Sequence, residues 1–152
     1  MKFTCDRDII AREVTIAQEI VSSRNVMSIL SNVLLEAAQG TLTVKATDLK
    51  VGFETSIPVD VRADGTATVY CDKLLGILKS LPAGEVEFEL DDSGMLFIRP
   101  LDKKIDFKLR SVASEKYPEI QSMAEERYFE FPQADFNSMI ANTIFAVSDD
   151  ET

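Results

Sequence analysis

The sequence predicts an α+β protein: a two-layer helix/antiparallel-sheet sandwich built from a duplicated β-α-β-β-β unit. Three observations point there. Two stretches rhyme, "FTCDRDIIAREV" from Phe3 and "TVYCDKLLGILKS" from Thr68. Each runs from a short strand-like piece through Cys-Asp and a basic residue into a helical apolar pattern. The two cysteines, Cys5 and Cys71, lie 66 residues apart, and helix starts recur with a period of about 65 residues. After each helix the apolar spacing drops from about 3.6 to about 2, the pattern of strands that a helix could cover.

Each element has its own warrant. "MKFTC" reads as a strand, and "DRDIIAREVTIAQEIVSS" as a helix capped by Asp6, with Ile10, Val14, Ala17 and Val21 on one face. Ile29 to Ala37 and Thr41 to Ala46 read as two strands joined at Gln39-Gly40, a hairpin signal. "VGFETSIPVDVRA" reads as a third strand in which Pro58 marks an edge or a bulge. The order then repeats. "TATVY" is a strand, and "CDKLLGILKSL" is a helix capped at Asp72, with Leu74, Leu75, Leu78 and Leu81 inward and Pro82 ending it. "GEVEFEL", "MLFIRP" and "KIDFKLRSV" complete the second set of strands. A third copy starts with "RYFEFP" as strand and "QADFNSMIANTIFAV" as helix, with Phe136, Met139, Ile140 and Ile144 inward. Two units side by side are expected to form one sheet layer with both helices on the same side. Residues 1–125 are read as a first domain, with halves 1–66 and 67–112 and a polar connector 113–125, and 126–152 as the beginning of a second.

Composition narrows the function. The chain is 45% hydrophobic and 28% charged, enough apolar residue for a core. No apolar run approaches the ~18 residues of a membrane span, and "MKFTCDRDII" lacks the apolar core of a signal peptide, so a cytoplasmic protein is expected. With no histidine there is no plausible zinc set and no imidazole for acid–base work; the cysteines read as buried free thiols. A Gly-rich phosphate loop is lacking, and Ser31 and Ser80 have no base to activate them. Asp149, Asp150 and Glu151 read as an acidic terminus rather than a cation site. No catalysis, metal or cofactor is expected.

The net charge of −10 argues against nucleic acid until it is divided by element. Residues 1–24 sum to zero and residues 71–81 to +1, so the rest of the chain carries −11. If both helices share one side of the sheet, their outer face is the least acidic face of the molecule. Cations there could meet phosphates without reading bases, or could simply solvate two amphipathic helices. No aromatic residue is interleaved with them, so stacking on single strands is not supported.

One stretch is more specific. "ILSNVLLEAAQGTLTVKATDLKVGFET" resembles the first-domain signature of bacterial sliding clamps, the beta subunit of DNA polymerase III. The matching pieces are Ile29 to Leu35, Gly40-Thr41-Leu42 and Thr47-Asp48-Leu49. They are joined by the opening "MKFTCDRDII", by "SLPAGEVEF" and by "FKLRSVASEKYPEI".

The resemblance implies the DNA-clamp fold and a ring of head-to-tail homodimers around double-stranded DNA, bound without regard to sequence. The ring would tether the replicative polymerase as a processivity factor. Residue by residue, it implies DNA contacts at Arg24, Lys73 and Lys79, with Arg12 and Arg7 as further candidates. It places Phe107 and Leu109 on a subunit-interface edge, where ordinary core packing is the alternative. Ser148-Asp149-Asp150 depart from the polar loop that family members turn toward DNA, and no contact is assigned to them. Family subunits are more than twice as long, so the chain is expected to be an N-terminal fragment. The site for DNA polymerase III catalytic subunit and clamp-loader peptides would lie in missing parts. The rival reading is a non-catalytic protein- or ligand-binding α+β module that shares the fold.

Overall fold

The computed structural model describes residues 1–21, 27–120 and 129–148. The chain divides into two compact units, Met1–Gln121 and Ser122–Thr152.

The first unit opens with β1 (Lys2–Asp6) and α1 (Arg7–Ile20). Asp6 caps α1, its carboxylate accepting from the N–H groups of Asp8 and Ile9 at 2.8 and 3.2 Å. Four strands follow: β2 (Asn32–Ala38), β3 (Thr41–Thr47), β4 (Gly52–Pro58) and β5 (Asp60–Ala63). The β2–β3 hairpin turns on Gln39 and Gly40, both with positive φ (51° and 78°), as the Gln-Gly signal predicts. Ile29 to Ser31 are not strand. They form a 3-10 turn, Ser28–Ser31, ahead of β2. Then come β6 (Gly65–Tyr70), α2 (Cys71–Ser80), β7 (Glu85–Leu90), β8 (Met95–Pro100) and β9 (Phe107–Arg110).

The class is the expected α+β, but the strands do not make one sheet. They form a five-stranded sheet, β5-β1-β7-β8-β9, and a four-stranded sheet, β4-β3-β2-β6. The expected single strand over 51–63 is therefore two. β4 ends at Pro58, on the edge of the four-stranded sheet, and after Val59 the chain enters β5 at the edge of the other. Pro58 suits this corner because it cannot donate to a ladder. The halves also exchange their first strands: β1 pairs with β7, and β6 pairs with β2.

Alternation within each strand fills the core from both sheets. Phe3 faces Phe88 across β1 and β7, rings stacked with centroids 4.7 Å apart. Val33, Leu35, Leu42, Val44, Leu96 and Ile98 close the same cluster beneath Ile10, Val14 and Ala17 of α1 and Leu74, Leu75 and Leu78 of α2. Cys5 and Cys71 are free and buried in it, and burial pushes both thiols up to about 12.

The end of the second half and the first part of the connector are both held to the sheets. The Val112 N–H donates to the Thr68 carbonyl, and the Ser111 hydroxyl accepts from the Thr68 N–H. Tyr117 is buried, and its hydroxyl donates to the Asn32 carbonyl (3.2 Å) with the Lys45 carbonyl at 3.4 Å. A Cβ at Gly52 would lie 2.7 Å from Ile120 Cγ2, so glycine there permits the close crossing.

In the second unit, α3 (Gln133–Ala141) is followed by a 3-10 turn, Ile144–Ala146. Phe129 to Pro132 are not strand, contrary to expectation; Arg127 and Tyr128 lie outside the described residues. Phe136, Met139, Ile140 and Ile144 do not point into a core. All four are exposed, because no sheet accompanies them among the described residues.

Candidate nucleic-acid interface

Two amphipathic helices with their apolar stripes in one core must lie side by side, and α1 and α2 do. The Gln18 side-chain amide of α1 donates to Asp72 Oδ1 of α2 at 2.6 Å, and the Cys71 thiol reaches the Val14 carbonyl at 3.8 Å. Residues opposite the stripes face away from the core. On α1 these are Asp8, Arg12 and Glu19; on α2 they are Asp72, Lys73, Gly76, Lys79 and Ser80, all exposed. Lys79 sits in the last turn of α2, where the helix dipole favours a cation.

Asp72 is not the cap expected from the sequence. The cap position is Tyr70, which makes no side-chain capping bond, and Asp72 stands one residue inside the helix with its carboxylate turned to Gln18. Gln18 carried no motif. Its position beside Ala11 on the α1 flank was the available signal, once both helices are set on one side.

The candidate cations fare differently. Arg12, Lys73 and Lys79 are exposed and make no ion pair among the described residues. Arg7 is half-buried, and its guanidinium pairs with Asp8 at 3.0 Å. Arg24 lies outside the described residues. Phe107 and Leu109 fall on β9, the last strand of its sheet. It pairs with β8 on one side and with no strand on the other among the described residues. Leu109 is buried in the core and Phe107 is half-buried against it, so both side chains support the edge from inside.

Among the described residues no group of three or more His, Cys, Asp or Glu is placed to hold a metal ion. No described helix is long and apolar enough to cross a membrane.

Two helices laid side by side over exchanged antiparallel sheets, with Arg12, Lys73 and Lys79 exposed on their outer side, define a duplicated clamp-type domain. The profile of the DNA polymerase III beta subunit, N-terminal domain, matches residues 1–121. The chain belongs to that family. A beta sliding clamp of Treponema pallidum is 44% identical over 152 residues, covering 100% of this chain and 41% of the relative. One from Halalkalibacterium halodurans is 31% identical over 160 residues, with 100% of this chain and 42% of the relative covered. Among solved structures, the DNA polymerase sliding clamp of Bacillus subtilis superposes with a TM-score of 0.93 at 27% identity, covering 100% of this chain and 42% of that one. The chain thus spans about 41% of the length of the relatives it matches.

Proposed function

We propose that this chain is the N-terminal portion of a DNA sliding clamp, a non-catalytic processivity factor in the bacterial cytoplasm. The whole protein forms a head-to-tail homodimeric ring around duplex DNA and holds the replicative polymerase on its template. Polymerase and clamp loader bind through parts outside this stretch. The observation that carries the reading is the pair of helices with Arg12, Lys73 and Lys79 exposed and unpaired on one face. Sliding needs phosphate contacts that are numerous and weak, without base readout. Arg24, a few residues past the end of α1 in sequence, is taken as a further phosphate contact, and Arg7, paired with Asp8, as a weaker one. The open edge of β9, backed by Phe107 and Leu109, pairs with the partner subunit.

Topological binding has a distinctive test. The intact protein, loaded on nicked circular DNA by its clamp loader, should stay on the circle through a high-salt wash. It should leave when the circle is cut. Equal retention on cut and uncut DNA would overturn the ring, and no retention on either would overturn the function.

A further inference from the structure

The cationic face contains an anion that the charge count does not explain. Asp72 is exposed in the first turn of α2, beside Lys73 and across the seam from α1. No cation pairs with it among the described residues. Its hydrogen-bond partner among the described residues, Gln18, is a neutral amide that fixes the carboxylate without cancelling its charge. With Asp8 and Glu19 it brings the exposed charges of both helices to three anions against the three cations Arg12, Lys73 and Lys79. Of these anions Asp8 is already tied to the half-buried Arg7 at 3.0 Å, which leaves Glu19 and Asp72 without a cation among the described residues.

We propose that Asp72 is a spacer residue, held by the positioning residue Gln18, that loosens the grip of this face on the DNA phosphates. This rests on the reading of the helical face as DNA-facing. A carboxylate fixed by Gln18 beside Lys73 subtracts attraction at the seam between α1 and α2.

The test is fluorescence anisotropy of a labelled mixed-sequence duplex DNA titrated with the 152-residue chain. Asp72→Asn keeps an oxygen for Gln18 and removes the charge. It should tighten binding roughly two- to threefold near 50 mM salt, fading toward 200 mM as screening grows. Asp72→Glu should bind as the parent does. Gln18→Ala should give a smaller tightening, and the double variant Gln18→Ala, Asp72→Asn should match Asp72→Asn alone, because both changes act through one carboxylate. A merely structural role would lower the melting temperature without this salt-dependent gain. If Asp72→Asn binds like the parent while Lys73→Glu weakens binding, the spacer is overturned and the face survives. Binding unmoved even by Lys73→Glu overturns the face and the spacer together.

Discussion

The helical face and the outer face of the five-stranded sheet use the same charged residues in opposite ways. On the sheet Lys2, Arg62 and Arg99 are tied to carboxylates, whereas the exposed Lys108 and Arg110 of β9 make no ion pair among the described residues. Lys2 reaches Glu87 and Glu89 at 3.3 and 3.4 Å, and Arg99 binds Glu89 at 2.6 Å and Asp106 at 3.0 Å. Arg62 extends from Asp60 (3.6 Å) to Glu87 (4.0 Å). Thr4, buried, sits between those two residues in the sheet register. Arg99 also stands over the Phe97 ring at 4.6 Å, with Lys108 near the same ring at 5.0 Å. On the helices, Arg12, Lys73 and Lys79 have no such partners. Cross-strand neighbours stand about 5 Å apart, close enough for a lattice of opposite charges. Residues on separate helices meet only along the seam, and there the pair is Gln18 with Asp72. The lesson is that availability of charge, and not its sum, separates a surface that is closed from one that can bind.

Both faces rest on one core, and removing part of it should have the largest effect. Phe88→Ala deletes a fully buried ring stacked on Phe3 and should cost about 3–5 kcal/mol, measured by urea unfolding. Loss under about 1 kcal/mol would mean that the two layers do not depend on one core.

Alkali attacks the same core chemically. Burial pushes Cys5 and Cys71 to about 12, and Tyr117 likewise. Because these folded-state values are raised, their contribution is whole below the ordinary thiol range and is lost as pH climbs toward 12. Stability should therefore fall across that window, and Cys71→Ala should flatten the fall. Thiol reagents should label neither cysteine until the protein unfolds.

Smaller effects sharpen the contrast. Tyr117→Phe should cost about 1 kcal/mol by releasing the connector from the Asn32 and Lys45 carbonyls. Arg99→Ala should cost up to about 1 kcal/mol, since it dissolves a network, and the loss should shrink in salt. Lys73→Ala and Lys79→Ala should stay within about 0.5 kcal/mol of the parent. Equal losses at Arg99 and Lys73 would erase the difference between the faces.

Local physics was legible in the sequence, and exchange between distant strands was not. Ile10, Val14 and Ala17 mark α1 by spacing alone, Asp6 marks its start, and Gln39-Gly40 marks the hairpin. The break between β4 and β5 was hidden because Phe53 to Val61 keep one alternation while the chain changes sheets. The trade of β1 and β6 between halves was hidden because register depends on partners dozens of residues away. Ile29 reads as β-branched strand but lies in a 3-10 turn. Tyr117 looked like part of a polar connector, and only its reach to two β-strand carbonyls shows its role. Of the candidate interface, the outward placement of Arg12, Lys73 and Lys79 followed from helical periodicity. The half-burial of Arg7 and the pinning of Asp72 depended on tertiary neighbours.

The most direct measurement compares charge reversals on the two faces of the intact protein. Lys73→Glu with Lys79→Glu, and separately Arg62→Glu with Arg99→Glu on the five-stranded sheet, would be assayed for the rate of loading onto primed circular DNA. The helix pair should slow loading steeply in low salt while leaving thermal stability unchanged, and the sheet pair should lower stability while loading normally. Normal loading by the helix pair, or a loading defect confined to the sheet pair, would contradict the account.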